Sequence, residues 1–226
     1  MGSLVAAVTA TSHGVVSGSV DLATGIARFL GIPYAAAPVG ELRFERPVPP
    51  ASWSGQRESI TFGPRCVQRK PFSDIVFRSS EMSEDCLTLN IWTPRPADPE
   101  AMLPILVYVH GGGFLVGDGS EPRLDGAALA AHGIVVVTVN HRLGIFGFFA
   151  HPELAATNLA LWDLIAALKW MRSNARAFGG APGRITMAGS SSGAFAVGAL
   201  LGSSVARDLV AGAVIQSGAL LGSDLS

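Results

Sequence analysis

Residues 185–193 read Ile185-Thr186-Met187-Ala188-Gly189-Ser190-Ser191-Ser192-Gly193, and an apolar, helix-compatible stretch follows at residues 194–201. This pattern is typical of a strand, a sharp turn and a helix. Only Ser191 has a glycine two residues away on both sides. A serine on such a turn has a strained backbone, and the flanking glycines let the strand and the helix approach each other. We therefore predict Ser191 as a nucleophile at a helix N-terminus, with Ser190 and Ser192 as the less favoured alternatives.

A second glycine-rich turn, His110-Gly111-Gly112-Gly113, follows the apolar run at residues 105–109, which has the composition of a buried strand. Glycines there expose backbone N–H groups that a side chain would crowd. Such groups, together with a helix N-terminus, favour the negative charge that develops on an attacked carbonyl oxygen. We predict the backbone N–H groups of Gly112, Gly113 and Ser192 as oxyanion donors. The alternative is that both motifs are structural glycine loops at the ends of buried strands.

The composition indicates a globular protein without a strongly charged surface. The 226-residue chain is 49% hydrophobic and 15% charged, with a net charge of -1, and its mean hydropathy is +0.40. These values argue against nucleic acid or an anionic membrane as a partner. No apolar run is long enough for a membrane span, and no secretory signal is recognisable. We expect a cytoplasmic protein, or a secreted one if a signal is removed.

No metal or organic cofactor is expected. Cys66 and Cys86 lack the spacing of metal ligands, and the glycines near residue 111 do not lead into a phosphate-binding G-K-[ST] motif.

Periodicity of the apolar residues predicts an α/β protein. Short antiparallel strands are expected between residues 14 and 36, and helices at residues 125–131 and 159–178, the second ended by Gly179-Gly180. Further strands are expected at residues 87–92, 105–109, 134–140, 185–188 and 213–216. Strands that alternate with helices indicate a mostly parallel sheet with helices on both faces.

Over nearly its whole length the sequence resembles the type B carboxylesterases of the α/β-hydrolase fold, a family that includes bacterial para-nitrobenzyl esterases and cholinesterases. Besides the serine turn, the resemblance rests on Trp53-Ser54-Gly55, Phe62-Gly63-Pro64-Arg65-Cys66-Val67-Gln68, Ser83-Glu84-Asp85-Cys86-Leu87-Thr88-Leu89-Asn90, His110-Gly111-Gly112-Gly113-Phe114, Asn140-His141-Arg142-Leu143-Gly144 and Phe178-Gly179-Gly180. It implies a serine hydrolase of small carboxylic esters, with Ser191 as nucleophile and the same three oxyanion donors.

The resemblance also implies structural pairings. Cys66 is expected to pair with Cys86 in a disulfide, which a reducing cytoplasm would leave as two thiols. Two ion pairs, Arg43 with Glu84 and Arg142 with Asp163, are expected to be structural rather than catalytic.

Some positions depart from the family's pattern. Ser190 and Ser192 stand where the family usually has glutamate and alanine, and Ala181 precedes Pro182 where aspartate is usual. The loss of a carboxylate beside the nucleophile changes the field on a nearby imidazolium. No tryptophan lies between Cys66 and Cys86, so specialisation for choline esters is not expected.

Length is the largest departure, because family members are roughly twice as long and carry their acid and histidine after the nucleophile. All five histidines precede Ser191: His13, His110, His132, His141 and His151. We expect residues 1–226 to be the N-terminal part of a single α/β-hydrolase domain, truncated after the nucleophile region. A second polypeptide or a second copy would then supply the acid and the base. The alternatives are a catalytically silent half-domain and a cholinesterase-like interaction module.

Overall fold

The structure is a computed structural model that describes residues 3–69, 72–94 and 100–218. Its strands, in chain order, are β1 (Leu4–Thr11), β2 (Gly14–Asp21), β3 (Ile26–Pro33), β4 (Gln56–Glu58), β5 (Arg65–Cys66), β6 (Met82–Ser83), β7 (Thr88–Pro94), β8 (Leu103–Val109), β9 (Val135–Val139), β10 (Gly180–Ser190) and β11 (Gly212–Gln216). Its α-helices are α1 (Ala127–Ala130), α2 (Gly144–Phe148), α3 (Leu159–Asn174) and α4 (Ser192–Gly202).

The main sheet has the strand order β1-β2-β3-β7-β9-β8-β10-β11, with β4 beside β2. Strands from β1 to β9 along this order pair antiparallel. Strands β9, β8, β10 and β11 pair parallel. The predicted α/β class is confirmed, and the antiparallel pairs expected between residues 14 and 36 are β2 and β3.

Alternation along the central strands separates two apolar cores. Val135, Val137 and Val139 of β9 belong to the large cluster that includes residues of α3 and α4, whereas Val136 belongs to a smaller cluster with Ala130 of α1. Successive side chains of a strand point to opposite faces of the sheet. Helices therefore cover both faces, as predicted, and the full burial of β9 explains why four of its five residues are valine.

Helix α3 confirms the long helix expected at residues 159–178, with a change at its C-terminal end. The α-helix stops at Asn174, and a 3-10 turn continues over Ala175–Phe178. Gly179 follows with φ 73°, a left-handed conformation that suits glycine after a helix. Within the described ranges, no helix combines the length and apolar character needed to cross a bilayer.

Candidate active site

Ser191 lies at the junction of β10 and α4 with φ 52° and ψ −122°. This backbone conformation is sparsely populated for a residue with a side chain and costs on the order of 1–3 kcal/mol. Two hydrogen bonds hold it, because the Ser191 N–H donates to the Gln216 carbonyl at 2.9 Å and the Ser191 carbonyl accepts from the Phe195 N–H at 3.1 Å. The strained serine turn predicted from the sequence is thus present, with β11 as its lateral support.

The glycines on either side of Ser191 permit close approach of three elements. A Cβ on Gly189 would lie 2.5 Å from the Gly193 carbonyl, and a Cβ on Gly193 would lie 2.6 Å from the His110 carbonyl and overlap that of Val109. Strand β10, helix α4 and the end of β8 are therefore in backbone contact around the serine.

The Gly193→Ala variant is expected to lose about 2–4 kcal/mol of unfolding free energy, because the new methyl group collides with backbone that cannot rotate away. The matched control is Gly202→Ala at the other end of α4, where an added Cβ meets nothing within 4 Å. Urea denaturation followed by circular dichroism measures both variants. Equal stabilities would mean that the turn tolerates a side chain and that the close packing is not required.

The glycine loop after β8 packs directly on Ser191. A Cβ on Gly111 would lie 3.3 Å from the Ser191 Cβ and 2.9 Å from the Ser190 carbonyl. Gly112 and Gly113 have φ values of 125° and 65°, which glycine adopts without strain. The backbone N–H groups of Gly112, Gly113 and Ser192 donate to no acceptor among the described residues. Three unpaired donors thus lie on the two segments that meet at Ser191.

Ser191 and the glycine loop line an open cavity of about 570 Å³. Its charged members form one cluster, in which Arg123 Nε lies 2.7 Å from Glu121 Oε2 and Arg123 Nη1 lies 3.4 Å from Asp74 Oδ2. The Glu121 side chain is 2% exposed, and burial raises the pKa of its carboxyl despite Arg123. Tyr108 donates to Gln216 Oε1 at 3.4 Å. The sequence motifs did not predict these polar residues of the cavity, because they come from segments that are distant in sequence.

The loop that follows the glycines is fixed by buried side chains. Gln68 bridges both backbone groups of Gly117, accepting from its N–H at 2.9 Å and donating to its carbonyl at 2.9 Å. Asp118 accepts from the hydroxyls of Ser79 and Ser120, and all three side chains are buried. The glycine loop is therefore anchored on the segment between Cys66 and Cys86.

The structural pairings implied by the resemblance have suitable geometry. Arg142 and Asp163 form a buried pair with N···O distances of 2.8 and 2.9 Å, and Arg43 and Glu84 form an exposed pair at 2.6 Å. Cys66 and Cys86 are joined through their sulfur atoms, with a Cα–Cα distance of 5.0 Å. None of these side chains lines the cavity at Ser191, which agrees with a structural role.

No histidine is among the described residues that line the cavity at Ser191. His110 and His141 are buried and stacked, with ring centroids 4.8 Å apart. Each Nδ1 lies at hydrogen-bond distance from a backbone carbonyl, 2.9 Å from that of Gly111 and 3.0 Å from that of Arg142. Burial lowers the pKa of both rings to about 4, and for His141 the charge of His110 adds to the effect. Both rings are therefore neutral near pH 7 and lie beside the glycine loop.

This pair makes the fold sensitive to acid. In the unfolded chain both histidines take up a proton below about pH 6.5, whereas in the folded protein they do so only near pH 4. Unfolding therefore takes up protons between these two pH values. The contribution of this pair to the free energy of unfolding is complete above pH 6.5 and is lost as the pH falls toward 4. The expected loss by pH 4 is about 3 kcal/mol per histidine.

The His141→Phe variant keeps a stacked ring and removes one titrating group. Its unfolding free energy, measured by urea denaturation at pH 7 and pH 4.5, is expected to change less with pH than that of the unmodified protein. His132→Phe is the control, because His132 is exposed after α1. An unchanged pH dependence in His141→Phe would show that the acid sensitivity arises elsewhere.

Among the described residues, no group of three or more His, Cys, Asp or Glu side chains could hold a metal ion. The elements that surround Ser191 are instead those of an α/β-hydrolase: a serine turn between a parallel strand and a helix, facing a glycine loop at the end of the neighbouring strand.

The chain belongs to the carboxylesterase family, whose model matches residues 5–225. It is 44% identical to the fumonisin B1 esterase of Sphingopyxis macrogoltabida, covering 89% of this chain and 38% of that protein. It is 41% identical to the para-nitrobenzyl esterase of Bacillus subtilis, covering 94% and 44%.

Comparison with two solved structures also supports membership of this family. A PNB esterase and a thermophilic PNB esterase superpose with TM-scores of 0.85 and 0.88 at 41% identity, and each match covers 94% of this chain and 44% of the other. The predicted resemblance and the α/β-hydrolase fold are confirmed. The chain spans less than half the length of these relatives.

Proposed function

We propose that this chain supplies the nucleophile and the oxyanion donors of a carboxylic ester hydrolase that acts on small esters. The observation that carries the proposal is the conformation of Ser191, held at φ 52° and ψ −122° with the glycine loop against its Cβ. Its Oγ attacks the ester carbonyl and forms an acyl-serine, while the alcohol leaves with the serine proton. Water then releases the carboxylic acid and restores the hydroxyl.

The oxyanion of both tetrahedral intermediates would be held by the backbone N–H groups of Gly112, Gly113 and Ser192. Their lack of partners among the described residues supports this role, because preorganised donors cost no reorganisation when charge develops. The alternative nucleophiles Ser190 and Ser192 are less suitable. Ser192 is 5% exposed and begins the helix, and Ser190 ends the strand.

The reaction also needs a base to take the Ser191 proton, and a second polypeptide or a second copy would supply the histidine and its acid. Residues 1–226 then form the N-terminal part of one α/β-hydrolase domain. The surface of β11 supports this, since Val214 and Ile215 are 44% and 43% exposed on the last strand of the described sheet. Apolar edge strands are normally covered. The same surface also suits the second candidate, a silent interaction module.

Two assays on the purified chain test the proposal: labelling by a fluorophosphonate, mapped by peptide mass spectrometry, and hydrolysis of para-nitrophenyl acetate and butyrate, with the oligomeric state measured in parallel. We expect the label on Ser191. Turnover would assign the base to this chain or its partner copy, whereas labelling without turnover would assign it to a second polypeptide. Labelling of a serine other than Ser191 would contradict the proposal, and a failure to label even after a complementing polypeptide is added would favour the interaction module.

We also propose the cytoplasm as the site of action, with the exterior as the alternative if a signal is removed. The cysteine pair offers the test, because a reducing compartment keeps thiols that an oxidising one converts to a disulfide. Thiol titration of protein isolated under acid quench distinguishes the two: free Cys66 and Cys86 support the cytoplasm, and a disulfide contradicts it.

A further inference from the structure

A groove separate from the Ser191 cavity runs along one face of α3. Helix residues spaced three or four apart form one side of it: Trp162, Ile165, Ala166, Lys169, Trp170 and Ser173. The turn between β1 and β2 and the proline-rich segment at residues 47–50 form the other side. The groove has a volume of about 390 Å³, within the range of small-molecule sites. It shares no lining residue with the Ser191 cavity.

The groove combines positive charge with an apolar wall. The Arg46 guanidinium lies 3.9 Å from the centroid of the Trp162 ring, and this stacking fixes its position. Lys169 lies seven residues, or about two helical turns, after Trp162 on the same face. Neither cation forms an ion pair among the described residues, and no acidic side chain is part of the lining. Asp163, next to Trp162 in sequence, is already paired with Arg142.

We propose that this groove binds an organic monocarboxylate whose ring or alkyl chain lies against Trp162 and the prolines while its carboxylate pairs with Lys169 and Arg46. A carboxylate fits better than a polyphosphate because Arg46 and Lys169 are the only Lys or Arg side chains among the described lining residues, with His13 as the one further basic group, and most of the wall is apolar. Binding there needs no reaction at Ser191, so this proposal and the proposed esterase function can fail separately.

The test is a titration of the full chain with 4-phenylbutyrate, followed by tryptophan fluorescence and by isothermal calorimetry. Two of the four tryptophans line the groove, so a saturable change in emission is expected, with a Kd of about 1 mM or tighter. The neutral analogue 4-phenylbutanol is expected to bind at least about threefold more weakly, and added salt is expected to weaken only the carboxylate.

Two variants locate the site. Lys169→Gln and Arg46→Gln each remove one exposed charge and are expected to weaken 4-phenylbutyrate binding about three- to fivefold. Arg184→Gln is the matched control, because Arg184 is exposed on β10 and lies outside the groove. It loses the same charge and should bind as the unmodified chain does.

Three results would overturn the proposal. Equal Kd values for 4-phenylbutyrate and 4-phenylbutanol would show that the carboxylate charge does not contribute to binding. If Arg184→Gln weakened 4-phenylbutyrate binding as much as the groove variants do, the effect would come from the overall charge of the protein and not from the groove. Loss of binding in Ser191→Ala would place the ligand in the Ser191 cavity instead. Circular dichroism of each variant confirms that the fold is retained.

Discussion

Substituting Ser191 with alanine is expected to lower kcat for para-nitrophenyl butyrate by about ten-thousandfold or more, in whatever assembly of this chain turns the ester over. The expectation follows from position, because Ser191 is the side chain at the turn that faces the glycine loop. Alanine keeps the backbone and the proposed oxyanion donors, so the substitution removes only the proposed nucleophilic oxygen. The substrate should still bind, and KM should change little.

Ser190→Ala and Ser192→Ala are the matched controls, since each removes one hydroxyl from an adjacent position. Neither change removes a backbone N–H, and both variants are expected to keep kcat within about tenfold of the unmodified protein. A fall in Ser190→Ala or Ser192→Ala as large as that in Ser191→Ala would mean that the serine turn has been assigned wrongly. Initial rates at saturating ester, with matched circular dichroism spectra, decide between these outcomes.

The sequence predicted those strands and helices whose buried residues recur at a regular spacing along the chain. Strand β9 is valine at four of its five positions because both of its faces are covered, and α3 places Leu164, Leu168 and Met171 in the core at helical spacing. The serine turn could also be predicted from the sequence. The packing around Ser191 leaves no room for a side chain two residues before or after it, so both of those positions are glycine.

Other elements left no such pattern. Strand β1 is largely exposed although most of its residues are apolar, so no alternation of apolar and polar residues marks it. Strand β10 begins at Gly180, ahead of the predicted residue 185, and passes through Pro182 with an irregularity in its pairing with β8. Helix α1 is shorter than expected and spans Ala127–Ala130. These differences depend on how strands and helices from different parts of the chain pack together. The spacing of apolar residues within one segment carries no information about that packing.

The chemical surroundings of Ser191 were the least predictable part. Glu121 and Arg123 reach the cavity from a loop after the glycine run, and Tyr108 does so from β8. The stacked pair of His110 and His141 joins the ends of β8 and β9. Each contact depends on which strands are neighbours in the sheet. A sequence gives that order only once the topology is known.

The Asp163→Asn variant is expected to lose about 3–5 kcal/mol of unfolding free energy, a large share of the stability of a typical domain. The Asp163 and Arg142 side chains are 0% and 3% exposed, so asparagine leaves a buried guanidinium without its counter-charge. Arg142 also donates to the carbonyls of Arg43 and Glu45, at 3.0 Å each. The variant should therefore loosen the segment before the proline-rich stretch as well as α3.

Glu84→Gln is the control for loss of a carboxylate at an exposed pair, where Arg43 and Glu84 are 45% and 24% exposed. Solvent screens such a pair, so its unfolding midpoint in urea should match that of the unmodified protein. The double variant Arg142→Met/Asp163→Leu should recover part of the stability lost by Asp163→Asn, because it removes both buried charges and keeps the volume filled. The recovery is partial because the Arg43 and Glu45 carbonyls lose their donor. If Asp163→Asn were as stable as Glu84→Gln, the buried pair would not be needed to hold α3 to the segment that follows β9. If the double variant were as unstable as Asp163→Asn, the loss would come from packing rather than from an uncompensated charge.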